Sequence, residues 1–124
     1  MRHPEYSDGL LDHFRNPRNV GEIPNPDARA EVTSPLHGDT LCLTFALDGD
    51  RIRAVRFRCL GCPVAIAAGS VSTVLLCGAT ITEALRLTDE DVARALGGVP
   101  ERKRACSVLV REAVALALAG LARS

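Results

Sequence analysis

Leu41-Cys42-Leu43-Thr44-Phe45-Ala46-Leu47-Asp48-Gly49-Asp50-Arg51-Ile52-Arg53-Ala54-Val55-Arg56-Phe57-Arg58-Cys59-Leu60-Gly61-Cys62-Pro63 encodes two strands, the turn between them and the start of a helix. Leu41, Leu43, Phe45 and Leu47 recur at every second position, the period of a strand with one buried face. Asp48-Gly49-Asp50 is a hairpin signal, and the return strand runs from Arg51 to about Leu60. The alternation slips within that strand. Ile52 and Ala54 hold one parity, whereas Val55, Phe57 and Cys59 hold the other. The slip predicts a β-bulge near Ala54-Val55 that turns the Cys59 to Cys62 segment toward a site at the end of the sheet.

Upstream, Ala28, Ala30 and Val32 alternate with Arg29, Glu31 and Thr33, a third strand, and Ser34-Pro35-Leu36-His37-Gly38-Asp39 breaks it. Three consecutive strands with short connections predict an antiparallel meander. Ser7 caps a short helix carrying Leu10, Leu11 and Phe14, which Asn16-Pro17 stops. Downstream, Pro63 suits the first position of a helix reaching about Leu76, with Cys62 as its N-cap and Cys77-Gly78 as its stop. Ala65, Ala68, Gly69 and Ser72 give that helix a small-residue face. Thr80 and Thr88 cap short helices over 81–87 and 89–96, and Gly97-Gly98-Val99-Pro100 interrupts the chain. The last helix, 107–122, is apolar nearly all round apart from Arg111 and Glu112 and is expected to be largely buried. The fold class is α+β: a three-stranded antiparallel meander with about five helices packed against it, one domain over residues 1–124.

A chain of 124 residues leaves no room for a second full domain. Hydrophobic residues make up 47%, yet the aromatics are only Tyr6, Phe14, Phe45 and Phe57, so Leu, Val, Ile and Ala must build the core. Aromatic-stacking nucleic-acid modules are disfavoured on that ground. Fifteen Lys plus Arg balance fifteen Asp plus Glu, and a formal charge of zero argues against nucleic-acid or acidic-membrane partners. The N-terminal residues lack the apolar stretch of a secretion signal. The longest apolar run, 113–122, is half of the roughly 20 residues a membrane span needs. These features predict a soluble, cytoplasmic protein. Five cysteines in a reducing compartment read as thiols for packing, metal or sulfur chemistry, and their odd number agrees.

Candidate ligands fall at boundaries between predicted elements: the His37-Gly38-Asp39 loop, Cys62 at a helix start, and Cys106 just before the last helix. One imidazole, one carboxylate and two thiolates suit Zn²⁺, and thiolates with imidazole also hold iron-sulfur species. Cys59 is in phase with Phe57 and reads as a strand thiol. Cys42 and Cys77 have structural places, and His13 reads as structural or partner-contacting.

Several motifs, in order, resemble the IscU and NifU N-terminal family of iron-sulfur cluster assembly scaffolds over nearly the whole chain. Asp12-His13-Phe14-Arg15-Asn16-Pro17-Arg18-Asn19-Val20-Gly21 is similar to its N-terminal signature. Gly38-Asp39 resembles the tail of its Cys-Gly-Asp loop. Phe57, Gly61-Cys62, Ala65-Ile66-Ala67 and Ser70 resemble its second cysteine motif, and Cys106-Ser107 its third. The departures are His37, where the family has a first cysteine, and Ala105, where it has a histidine before its last cysteine. The resemblance implies a metal site of His37, Asp39, Cys62 and Cys106, with Cys62 and Cys106 as the cluster-binding thiols and Cys106 as sulfur acceptor. The cofactor it implies is Zn²⁺, Fe or a [2Fe-2S] cluster.

The role implied is a scaffold or sulfur acceptor, a carrier more than an enzyme. A cysteine desulfurase would supply sulfur and apo iron-sulfur proteins would receive the product. The alternatives are a zinc-dependent SufU-like sulfurtransferase subunit and a divergent metal-binding regulatory domain. Val99-Pro100-Glu101-Arg102-Lys103 shares only Pro100 and Lys103 with the family's chaperone-binding segment, which gives little ground for an Hsp70-type partner.

Overall fold

The computed structural model describes residues 6–35 and 38–121; His37 lies outside the described residues. The sheet has the order β1-β2-β3, with β1 at Ala28–Thr33, β2 at Thr40–Asp48 and β3 at Arg51–Leu60, all antiparallel. The described residues form five α-helices: α1 Asp8–Arg15, α2 Pro63–Leu76, α3 Ile81–Leu85, α4 Asp89–Ala95 and α5 Arg104–Leu118. The expected α+β meander is thus what the chain forms. None of the described helices is long and apolar enough to cross a membrane.

The β2–β3 hairpin closes through Gly49-Asp50 between the paired Asp48 and Arg51, and Gly49 takes a φ of +63°, which a residue without a Cβ adopts readily. The expected bulge exists one residue earlier than predicted and does something else. Ala46 pairs with Ala54 and Leu47 with Ile52, which leaves Arg53 as the extra residue. It sits by the hairpin, far from Cys59, and its effect is on parity: Ile52, Val55 and Phe57 all become buried while Arg51, Arg53, Arg56 and Arg58 stay exposed. The far end of β3 is aimed instead by its register, which runs unbroken to the pair Thr40 and Leu60.

α2 and α5 cover the sheet and enclose Leu41, Leu43, Phe45, Phe57, Val64, Val110 and Leu118, all at most 2% exposed. α2 packs closely because its small residues permit it. A Cβ on Gly69 would stand 2.6 Å from the Phe57 ring and 3.2 Å from Leu41. The chain after α1 lies along β3, with the Phe57 N–H donating to Asn19 and its carbonyl accepting from Gly21, which satisfies an otherwise bare sheet edge. The short helices carry the expected caps, Thr80 with Glu83 and Thr88 with Asp91, each a reciprocal pair.

Two expectations for the end of the chain are corrected. α5 begins at Arg104, directly after a 3₁₀ turn at Glu101–Lys103, so Cys106 lies in its first turn and not before it. Gly97-Gly98-Val99-Pro100 had already made the break, and nothing between Glu101 and Cys106 stops helical geometry. Nor is α5 largely buried. Cys106, Ser107, Leu109, Val110, Ala113, Val114 and Leu118 form one buried stripe, and Arg111, Glu112, Ala115 and Leu116 face outward. Alanine and leucine on the outer stripe hide its exposure from a composition-based reading.

Candidate metal centre

Three of the four predicted ligands meet at one end of the sheet. Asp39 precedes the first residue of β2, Cys62 follows β3 by two residues and holds the N-cap position of α2, and Cys106 is the third residue of α5. The register explains the first two: since Thr40 pairs with Leu60, the chain on either side delivers Asp39 and Gly61-Cys62 next to one another. Ser34, Gly38 and Asp39 are joined by backbone bonds that the sequence reading did not anticipate. Ser34 N–H donates to Asp39 O at 2.7 Å, and Gly38 N–H donates to Ser34 O at 2.9 Å. Gly38 has a φ of +72°, and a left-handed glycine closing a Ser-Pro turn is a legible signal.

The geometry is compact. Cys62 Sγ and Cys106 Sγ are 3.5 Å apart, and Asp39 Oδ2 lies 3.5 Å from Cys106 Sγ and 3.8 Å from Cys62 Sγ. The other carboxylate oxygen, Oδ1, accepts the Cys62 N–H at 3.2 Å. Cys62 does not cap α2 with its own side chain, although it holds the N-cap position; its thiol turns toward Asp39 and Cys106 instead. Asp39 and Cys106 are buried and Cys62 half-buried. Burial pushes the Cys106 thiol well above the ordinary cysteine range, and the neighbouring Cys62 sulfur and Asp39 carboxylate reinforce this. The metal-free thiol therefore keeps its proton and donates it in a hydrogen bond to Asp39 Oδ2.

The donor set fits a tetrahedral thiophilic ion. With metal–sulfur bonds of about 2.3 Å and metal–oxygen bonds of about 2.1 Å, the edges of a tetrahedron are about 3.6–3.8 Å, close to the three separations seen. Asp39, Cys62 and Cys106 would hold such an ion through Oδ2 and two thiolates, leaving a fourth position.

The other cysteines stand apart from the cluster. Cys59 is half-buried, and burial pushes its thiol up to about 12, which makes it a packing residue. Cys42 is buried on the sheet's other side, 4.0 Å from Glu22, its thiol also raised by burial. Cys77 is exposed at the far end of α2. His13 proves structural: its Nδ1 lies 2.7 Å from Ser70 Oγ, which also accepts the Arg18 N–H at 2.9 Å. Together with Thr73, which accepts from the Asn19 side chain at 3.0 Å, Ser70 thus ties the N-terminal signature to α2. Its neighbourhood in sequence gave no hint of that bond.

The family model for the NifU-like N terminal domain matches residues 5–123. The iron-sulfur cluster assembly scaffold protein IscU 1 of Archaeoglobus fulgidus is 42% identical over 113 residues, covering 91% of this chain and 74% of its own. The nitrogen fixation protein NifU of Azotobacter chroococcum is 38% identical over 117 residues, covering 93% of this chain and 38% of the longer relative. Among solved structures, a protein from Fervidobacterium islandicum described as a scaffold for the SUF system superposes with a TM-score of 0.79 at 23% identity, over 95% of this chain and 99% of the other. That likeness is one of fold.

Proposed function

The chain belongs to the NifU-like N-terminal domain family, and from that premise we propose that it is an iron-sulfur assembly scaffold and sulfur acceptor. A cysteine desulfurase would supply it with sulfur, and apo iron-sulfur proteins would take what it holds. The observation that supports the reading is the meeting of Asp39, Cys62 and Cys106, whose donor atoms all lie within 4.8 Å of one another. His37 is the proposed fourth ligand. Iron or a [2Fe-2S] cluster is cargo in this reading, held and then released, and a hard carboxylate among soft thiolates suits release.

Sulfur uptake needs a thiolate at Cys106, whose S–H donates to Asp39 Oδ2 at 3.5 Å in the metal-free site; a cation held there would displace that proton. The thiolate attacks the terminal sulfur of the desulfurase persulfide. A new S–S bond forms on Cys106, the donor's S–S bond breaks, and the donor cysteine leaves as a thiolate, with no net oxidation. Cys62, 3.5 Å from Cys106, then offers the second sulfur ligand. This is the work of a carrier: the sulfur it accepts is passed on.

The test is anaerobic incubation with a cysteine desulfurase and cysteine, followed by peptide mass mapping and metal analysis. One added sulfur on the Cys106 peptide, lost in Cys106→Ser and retained in Cys77→Ser, is the expected result. Absence of added sulfur while the desulfurase turns over would overturn the reading. Two thiolates are few for a cluster and sufficient for zinc, and this donor count favours, as a second reading, a zinc-dependent sulfurtransferase subunit. Stimulation of the desulfurase by the zinc-loaded protein without cluster formation would select it. Tight metal binding without sulfur uptake would instead mark a metal-binding regulatory domain.

A further inference from the structure

Gly61 is the residue next to Cys62, and its backbone does not require glycine: its φ lies outside the left-handed region, where any residue is tolerated. The space around it does. A Cβ at this position would stand 2.6 Å from Asp39 Oδ1 and 2.8 Å from Asp39 Cγ, separations that real Cβ atoms essentially never show, and a tight 3.0 Å from Asp39 Cβ. All three contacts are with one side chain, that of the carboxylate in the metal centre.

We infer that Gly61 is a positioning residue for Asp39, and that it sets how the carboxylate serves the metal. With no side chain at 61, the carboxylate packs against the backbone at Gly61 and Cys62. One oxygen, Oδ1, is fixed there by the Cys62 N–H at 3.2 Å. The other, Oδ2, is left pointing at both sulfurs, 3.5 and 3.8 Å away. A carboxylate held in this way offers a single oxygen, and offers it where the two thiolates converge. The same N–H bond ties the carboxylate to the residue that carries one of the thiolates. Orientation of a ligand by its outer partners is commonly worth 10–100-fold in metal affinity. The inference rests on the reading of Asp39, Cys62 and Cys106 as ligands.

Flexible-tip adjustment does not relieve the contact. Asp39 is buried, and its own backbone carbonyl is bonded to Ser34 N–H at 2.7 Å, so the Cβ, 3.0 Å from the added carbon, cannot retreat far. The side chain must rotate, which takes Oδ1 from the Cys62 N–H and Oδ2 from the sulfurs together.

The test uses Co²⁺ as probe on the metal-free full chain, in wild type, Gly61→Ala, Asp39→Ala, the double variant and Cys106→Ser. Gly61→Ala is expected to weaken Co²⁺ by about tenfold. The sulfur-to-cobalt charge-transfer band should survive, because both thiolates remain, and the ligand-field bands should shift to those of Asp39→Ala. Adding Gly61→Ala to Asp39→Ala should weaken binding no further. If Gly61→Ala unfolds the protein, the double variant, freed of the closest contacts, should restore the thermal midpoint of Asp39→Ala. Wild-type affinity and spectrum in Gly61→Ala overturn the inference, as does a further loss in the double variant. Failure of the underlying reading looks different: wild type then binds no Co²⁺, or Cys106→Ser binds it unchanged.

Discussion

α2 carries a cysteine at each end, and the two have opposite fates. Cys62 and Cys77 are its N-cap and C-cap residues, both in extended backbone conformation. Cys62 stands 3.5 Å from Cys106 Sγ and 3.8 Å from Asp39 Oδ2. Cys77 is exposed, with its sulfur 3.5 Å from the Arg53 carbonyl and no second thiol or carboxylate among its described partners. A cysteine at a helix end is therefore not a ligand by virtue of that position. What differs is the chain that converges there: the start of β2 and the first turn of α5 arrive at the N-terminal end of α2, whereas its C-terminal end meets the hairpin strand, beside the Arg51–Thr80 bridge, and Asn19, whose side chain donates to Thr73.

The sharpest way to break this contrast is to remove one sulfur at each end. Cys106→Ser or Cys62→Ser should weaken Zn²⁺ or Co²⁺ by about a hundredfold or more, since loss of a ligand exceeds the 10–100-fold cost of disturbing an outer partner. Cys77→Ser should leave affinity unchanged. Competition titration with a chromophoric chelator measures both. Equal losses at the two ends would mean that the metal does not bind where the three donors meet.

Sequence legibility follows the same division. β3 runs from Arg51 to Leu60 and α2 from Pro63 to Leu76, both as the alternation, Pro63 and Cys77-Gly78 predict. Thr80 and Thr88 cap as expected, because a cap is decided within four residues. What local signals leave out is what the tertiary arrangement decides. The start of the last helix is one such case: the sequence reading puts it at Ser107, yet nothing after Gly97-Gly98-Val99-Pro100 breaks helical geometry, and α5 takes in Cys106 from Arg104 onward. The exposure of Leu116 depends on which stripe of α5 meets the sheet. Gly61 stands in a quoted motif, yet its reason, the Asp39 carboxylate across the sheet register, is visible only in three dimensions. His37 falls outside the described residues, and its ligand role stands as a proposal.

The middle of α2 connects the two ends, and crowding it should weaken the whole fold. In Gly69→Ala the new methyl meets Phe57 at 2.6 Å and Leu41 at 3.2 Å, both side chains nearly fully buried. Overpacking of this kind costs about 1–3 kcal/mol, against which Ala in place of Gly in a helix returns up to about 1 kcal/mol. A net loss near 1–2 kcal/mol in urea unfolding is the expected outcome. A gain in stability would show that Phe57 yields, and that α2 is not held against the sheet as tightly as its small residues imply.

The caps of the two short helices are worth less, and the described bonds of neither threonine reach a metal ligand. Thr80→Ala and Thr88→Ala should each cost about 1 kcal/mol, with Co²⁺ affinity unchanged. Their partners add a pH signature. Backbone and hydroxyl bonds from Thr80 hold the Glu83 carboxyl below its ordinary 4.5, and the same bonds from Thr88 hold Asp91 below 3.8. A carboxyl lowered in the folded state stabilises above its unfolded value, and the contribution is lost as pH falls through the folded one. Wild type should thus approach the cap variants in stability at acid pH, from about pH 4 downward.

The smallest effect belongs to His13, which ties α1 to the middle of α2 and is indifferent to either end. Its Nδ1 lies 2.7 Å from Ser70 Oγ, and that oxygen already accepts the Arg18 N–H, so the Ser70 hydroxyl proton is available to the ring nitrogen. A neutral imidazole with Nδ1 unprotonated satisfies all three groups in this arrangement. Partial burial and the Arg18 charge both hold the His13 pKa below the ordinary 6.5, against a weaker pull upward from Asp12. The sign follows: the unfolded chain binds the proton more readily, so the bond stabilises the fold above pH 6.5, and the contribution is lost as pH falls through the lower folded value. His13→Gln should cost about 0.5–1 kcal/mol at pH 8, read as a Tm lower by a few degrees, roughly 2–5 °C. At pH 5 the two proteins should converge. A constant gap across that range would mean that His13 contributes by packing alone, and a gap that widens on acidification would reverse the assigned protonation state.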